Sequence, residues 1–261
     1  MLSIDLEGKV AIVTGSTQGI GFGVAKVMAR AGCNIAGCGM SDKNSVKVTR
    51  FVDEITKEGR NVFYKKTDVK SETEINLFVD EVLEKYGKID FLISNAGVNM
   101  FTSPESCESS FWDENMDLNL KSHWMISKAC YPYLKQQKGV ILLMTSNHAF
   151  TTIPNCFPYN VSKTGIDGLV RSLAVQWSKD VRVIGIAPGF IETEGGEAWF
   201  NAFQDPKKKK EEVLAIHPTR KLGTVEDVGF LCSFLCCENS TFITGTTYLI
   251  DGGRSAVLQD I

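Results

Sequence analysis

A doubly wound α/β sheet is the fold this sequence predicts, as one unit of about seven parallel strands with helices on both faces. Three observations predict it. Short apolar runs rich in β-branched residues recur along the chain, and a stretch of helical periodicity separates each run from the next. The first run passes through a glycine-rich turn straight into a helix. At 261 residues, with no internal repeat, low-complexity tract or linker, the chain has the length of a single α/β domain with a large core.

Strands are expected at 10–13, 34–39, 61–66, 89–94, 140–145, 182–187 and 246–250, and helices at 19–30, 44–58, 71–86, 111–135, 157–178 and 225–236. Strands alternating with helices in this way pair in parallel through right-handed crossovers. The one long stretch without either period is 189–222, which mixes Glu192, Glu194, Trp199, Phe200 and Phe203 with Gly, Pro and Lys. It follows the C-terminal end of the sixth strand, where open α/β sheets bind ligands, so it is expected to act as a substrate lid.

In the first strand and turn, Lys9-Val10-Ala11-Ile12-Val13 runs into Thr14-Gly15-Ser16-Thr17-Gln18-Gly19-Ile20-Gly21. Gly15 permits a tight turn, Gly19 lets backbone approach a pyrophosphate, and Gly21 lets the helix pack closely on the strand. The helix N-terminus then offers free N–H groups and partial positive charge to phosphates.

Composition excludes several classes. A net charge of -3 and a pI near 5.7 argue against a nucleic-acid surface. The lysine run at 207–210 is followed by Glu211 and Glu212 and reads as a solvated helix face. No apolar run of about 18 residues exists, and Asp5 and Glu7 precede the first strand, so neither a membrane span nor a signal peptide is expected. The 8 cysteines form no C-x-x-C and read as small hydrophobes of a reducing compartment, with cytoplasm the expected address. No His/Cys cluster offers a metal site.

Tyr159 and Lys163 stand four apart, the spacing that puts two side chains on one helix face, and Ser146 ends an apolar run upstream. An ammonium beside a phenol favours the phenolate. Lowering a phenol by roughly three units from ~10 takes about 4 kcal/mol and permits proton exchange with an alcohol oxygen near neutrality.

The stretch 14–21, Asn95-Ala96-Gly97, Asn119, Ser146, Tyr159, Lys163, Pro188-Gly189 and Asp251-Gly252-Gly253 stand in the order found in the short-chain dehydrogenase/reductase family. The chain resembles that family over essentially its whole length. The resemblance implies a Rossmann fold and metal-free hydride transfer between a nicotinamide cofactor and a carbonyl or alcohol carbon. It gives Ser146 the substrate oxygen and Tyr159 the proton. Lys163 would lower the tyrosine pKa and bind ribose hydroxyls, and Asn119 would hold a water on the proton relay. Cofactor contacts are implied at Gly15, Thr17, Gln18, Gly19, Ile20, Gly21, Ser41, Asp68, Val69, Asn95, Ala96, Gly97, Pro188, Gly189, Ile191 and Thr193, besides Tyr159 and Lys163. The family commonly forms tetramers, so a homotetramer or homodimer is expected through the helices at 111–135 and 157–178 and the last strand. The tail at 254–261 is placed to reach a neighbouring subunit.

The choice between NAD and NADP is open. Gly39 stands about twenty residues after the glycine turn, where an NAD-preferring member would carry Asp, and no arginine occupies Met40 or Gln18 to grip a 2′-phosphate. Ser41, Lys43 and Asn44 could substitute, so the balance leans to NADP, with Asp42 against it. For the substrate, His148 and Pro154 resemble sugar dehydrogenases of the glucose dehydrogenase kind. Glu192 and Glu194 suit hydroxyls, while Trp199 and the neighbouring phenylalanines suit a larger apolar alcohol. A sugar or polyol is favoured. A hydroxysteroid or 3-oxoacyl-thioester reductase on the same scaffold is the rival, and a catalytically inactive nicotinamide-binding regulator the more distant one.

Overall fold

The computed structural model describes residues 3–258; the end of the tail expected to reach a neighbouring subunit, 259–261, lies outside the described residues. Strand β1 (Val10–Thr14) leads into α1 (Gly19–Arg30), β2 (Asn34–Gly39), α2 (Val46–Lys57), β3 (Val62–Lys66), α3 (Glu72–Tyr86) and β4 (Phe91–Ser94). After these come β5 (Phe101–Thr102), α4 (Ser109–Met116), α5 (Ser122–Gln137), β6 (Val140–Met144), β7 (Phe157–Pro158), α6 (Tyr159–Trp177) and β8 (Arg182–Pro188). The chain continues through α7 (Glu194–Asn201), α8 (Pro206–Ala215), α9 (Val225–Cys236) and β9 (Thr247–Ile250).

Seven strands form one parallel sheet in the order β3-β2-β1-β4-β6-β8-β9, as expected. The order reverses at β1, so the crevice for a ligand opens above the C-terminal ends of β1 and β4. Val13 faces Gly37 on one side and Ile93 on the other, which aligns the ends of all three strands. Both sheet faces are covered, so β1 and β6 are buried at every position. One face carries α1, α2 and α9 around Val24, Met28, Phe51 and Leu235, and the other α3, α5 and α6 around Phe78, Ile126, Ile166 and Val170.

Three expectations need correction. The helix expected at 111–135 is α4 and α5 joined by a π-helical stretch, Asp117–Lys121, where the Ser122 N–H reaches back to Asp117 O. Asn119, in the middle of this stretch, is bonded to Val98. The helix expected at 157–178 begins only at Tyr159, because Phe157 and Pro158 pair with Thr102 and Phe101 in a small antiparallel ribbon. The stretch expected to be irregular, 189–222, holds α7 and α8, capped by the Thr193 and Asp205 side chains. It is pinned at its base by pairing of Ile191 with Gly223, with Glu192 N donating to Gly223 O at 2.8 Å and Gly223 N to Phe190 O at 3.1 Å. Phe200, Val213 and Leu222 form its own small core.

Candidate active site

The site begins where β1 turns into α1. Gly15 and Gly19 adopt left-handed backbone (φ 66° and 55°), open to glycine at no steric cost. A Cβ at Gly21 would lie 2.4 Å from Gly15 O, so only glycine lets the helix start this close to the turn. Gln18 caps α1 without any side-chain bond to its amides, which leaves the first N–H groups, including those of Ile20 and Gly21, without a capping side chain at the C-terminal end of β1. The Ser16 hydroxyl is buried without a partner in the same turn. A cradle of unclaimed amides with an orphaned hydroxyl fits a dinucleotide pyrophosphate, so the residues present fit the implied cofactor.

The neighbouring strand end is locked to this turn. Thr14 Oγ1 accepts the N–H groups of Asn95 and Ala96, both at 2.9 Å, while Asn95 Nδ2 donates to Thr14 O at 2.9 Å. Thr14 was visible in the sequence only as part of the turn. Gly97 follows, and a Cβ there would lie 2.7 Å from Asn119 Oδ1 and 3.6 Å from Lys163 Nζ. That close approach brings Asn119 and Lys163 together across three elements.

The Asn119 side chain is bonded within the protein through both its oxygen and its nitrogen. Its Oδ1 accepts Val98 N–H at 2.9 Å, and its Nδ2 donates to Val98 O at 3.0 Å and Asn115 Oδ1 at 3.3 Å. The π-helical stretch around it skips an ordinary i to i+4 bond, with Ser122 N–H bonded to Asp117 O instead.

Asn119, Lys163, Ser146 and Tyr159 are all closed to solvent, at 0%, 3%, 7% and 8% exposed. Tyr159 opens α6, with its ring 5.2 Å from Phe101 and 6.2 Å from His148. The Ser146 hydroxyl accepts His148 N–H at 3.2 Å in a tight turn after β6. Lys163 Nζ donates to Met144 O at 3.1 Å and lies 5.5 Å from the centre of the Tyr159 ring.

Electrostatics here differ from the expected coupling. Burial pushes the Tyr159 phenol well above its usual range; the facing Ser146 hydroxyl pulls it back, and Cys156 adds to the rise. Burial also lowers Lys163 to about 7. With the ammonium turned to the Met144 carbonyl, burial outweighs any assistance to the phenolate. His123, fully buried on α5 and bonded through Nδ1 to Ser94 Oγ at 2.8 Å, is held neutral by burial and by the Lys163 charge. Nothing in the sequence marked it, since an isolated histidine in a helical run carries no motif.

The other expected residues divide. Ser41 Oγ meets Thr17 Oγ1 at 3.1 Å beside the turn, and Gly39 has only ordinary contacts around an added Cβ, the nearest 3.7 Å away. Asp42 is paired with Lys66 at 2.6 Å, and Lys47 Nζ donates to Gln18 Oε1 at 2.5 Å. Asp68 Oδ1 accepts Lys70 N–H at 2.9 Å, with Val69 in the core. Gly189 N donates to Ile250 O at 3.0 Å, after Pro188 at the end of β8, and Ile191 is buried. Thr193 Oγ1 accepts Gly196 N–H at 3.1 Å. His148 is beside Tyr159, and burial together with the Arg254 charge lowers its pKa. Glu192 and Trp199 make contacts within 189–222: Glu192 pairs with Lys210 at 3.2 Å, and Trp199 packs on Phe190, Phe200 and Phe203.

The sequence profile of the family described as enoyl-(acyl carrier protein) reductase matches residues 15–255. Dehydrogenase/reductase SDR family member 4 of Homo sapiens is 34% identical over 257 residues, spanning 97% of this chain and 90% of that protein. The crystal structure of a levodione reductase superposes with a TM-score of 0.90 at 25% identity, over 97% of this chain and 99% of that one. A proposed gluconate dehydrogenase from Agrobacterium tumefaciens gives a TM-score of 0.90 at 28% identity, over 99% of this chain and 100% of that one.

Proposed function

This chain belongs to the short-chain dehydrogenase/reductase family of NAD(P)-dependent oxidoreductases, and on that premise we propose that it interconverts a secondary alcohol and a ketone, with a sugar or polyol as substrate. The observation that carries the reading is the gathering of Tyr159, Ser146 and Lys163 in one closed corner beside the glycine turn. A bound nicotinamide supplies or removes the hydride. Tyr159 moves the proton, Ser146 steadies the substrate oxygen, and Lys163 with the Asn119 stretch feeds the proton path. An inactive regulator needs the turn but none of this corner. The working unit is the whole chain, with 189–222 as the lid.

A polar rim supports a hydroxylated substrate. His148 Nδ1 meets Thr152 Oγ1 at 3.3 Å, Thr151 Oγ1 donates to Ser255 Oγ at 3.1 Å, and the Arg254 charge reaches His148. Much of the lid's aromatic surface is spent on its own packing. The half-exposed Phe101 against Tyr159 favours the second reading, an apolar ketone such as a 3-oxoacyl thioester or steroid. NADP is the preferred cofactor: Lys66 neutralises Asp42, and Ser41, Thr17 and Lys47 border the turn where a 2′-phosphate would lie. A cytoplasmic address suits eight cysteines that are all free. No helix among the described residues is long and apolar enough to cross a membrane. Exposed Phe230 and Phe234 on α9 and Leu249 on β9 suit a homo-oligomer.

A panel of aldoses, polyols, hydroxysteroids and 3-oxoacyl thioesters, each assayed with both nicotinamide cofactors, tests this. Sugars or polyols with NADPH are expected to exceed the other substrates by at least about tenfold in kcat/KM, a 1.4 kcal/mol preference. Turnover confined to steroids or thioesters overturns the substrate class, and a tenfold preference for NADH (again about 1.4 kcal/mol) overturns the cofactor.

A further inference from the structure

We propose that Arg50 and Glu194 form a clasp that holds the lid shut on the glycine turn and sets how fast the nicotinamide nucleotide leaves; this rests on the nucleotide-binding reading above.

Arg50 stands on α2, whose outer end packs beside the turn. Its guanidinium is fixed from the protein side by two contacts. It lies 4.7 Å above the centre of the Phe22 ring, and Nη2 donates to Thr17 O at 3.3 Å. Nη1 then reaches outward to Glu194 Oε1 at 2.6 Å. Glu194 is the first residue of α7, so the ion pair grips the lid at the point where it leaves its hinge. The hinge is the paired base at Ile191 and Gly223. One residue before Glu194, Thr193 Cγ2 lies 3.7 Å from the position a Cβ on Gly19 would take. The lid therefore rests on the residue expected to lie against a pyrophosphate, and lifting it breaks the ion pair.

The magnitude decides what kind of device this is. Both partners are substantially exposed, at 41% and 56% of the side chain, so the pair belongs with surface ion pairs of small net worth. Stacking on Phe22 and the bond to Thr17 pre-pay the ordering of the arginine, which raises the pair above an unanchored one. The clasp is strong enough to bias a lid and too weak to prevent its opening. Lid opening and product release often limit turnover in enzymes built this way.

Stopped-flow release of NADH and NADPH tests it in wild type, Arg50→Ala, Glu194→Gln, the double variant and the charge swap Arg50→Glu with Glu194→Arg. Hydrogen exchange of the 194–201 amides in nucleotide-free protein is the second readout, and thermal unfolding checks that each variant is folded. Each single variant is expected to release both nucleotides about three to five times faster, as a surface pair predicts. The double variant should be no faster than the singles, and the swap should recover much of the loss. Exchange in 194–201 should rise in the same variants. Additive single effects, unchanged release or unchanged exchange overturn the clasp. Weakened NADPH binding with NADH untouched in Arg50→Ala, and tighter NADPH binding in Glu194→Gln, would make Arg50 a 2′-phosphate ligand and also overturn it. If wild type binds neither nucleotide, the nucleotide-binding reading fails, while exchange still reports on the ion pair.

Discussion

Lys163→Met is expected to give a protein that is more stable and essentially inactive. The physical reason is the burial that lowers Lys163 to about 7 in the folded chain, against about 10.4 when unfolded. Below pH 7 both states carry the proton, and the folded state bears the full cost of a buried cation. Between about 7 and 10.4 the unfolded chain holds a proton that the folded one has released, so stability rises with pH across that window. Above it both forms are neutral and the difference is gone. A gap of this size corresponds to roughly 5 kcal/mol of lost stability at low pH. Met fills a similar volume without charge, and part of that cost should return, on the order of 2 kcal/mol or roughly 5 °C in Tm at pH 7. Activity should fall about 10²–10⁴-fold. Thermal melts at pH 6.5 and pH 9 check the sign. Wild type gains stability at the higher pH relative to Lys163→Met; a variant less stable than wild type at pH 6.5 contradicts the account.

Tyr159→Phe isolates the proton. The ring keeps its packing on Phe101 and His148, and only the hydroxyl facing Ser146 is lost. Turnover should fall by about 10³-fold or more, near the upper end for one general acid–base group. Nucleotide affinity should change by no more than about threefold, or roughly 0.7 kcal/mol, because the glycine turn is untouched. Titrating reduced nucleotide fluorescence alongside the rate assay separates the two. Retained turnover would place the acid elsewhere.

What the sequence made legible follows from burial. Strands covered on both faces must be apolar throughout, so β1 and β6 announce themselves. The glycine turn is legible because its geometry excludes side chains at Gly21. The break at Asp117–Lys121 is hidden, since Asp-Leu-Asn-Leu-Lys is compatible with continuous helix, and the bond Asn119 makes there goes to Val98, 21 positions away. Helix α7 is masked by Gly195 and Gly196, both poor helix formers. In α8 the lysine run does read as a helix face, but only Val213 is buried, so no apolar period marks the helix's bounds. Arg50 carries no motif; its partners Thr17 and Glu194 lie 33 and 144 positions away. Spacing correctly put Tyr159 and Lys163 on one helix. It said nothing of the Met144 carbonyl that draws Lys163 Nζ aside, nor of the lysine and aromatics that occupy Glu192 and Trp199.

The central claim is that Lys163 turns a phenol raised by burial into a usable acid and base once the nicotinamide nucleotide is bound. Titration of ring-labelled Tyr159 by NMR, with and without oxidised nucleotide, tests it directly. The predicted result is a phenol that stays protonated past its ordinary ~10 in the free protein and ionises below about pH 8 in the complex, with that drop absent in Lys163→Met. A phenol that keeps its proton beyond pH 10 in a complex that still turns over would contradict it.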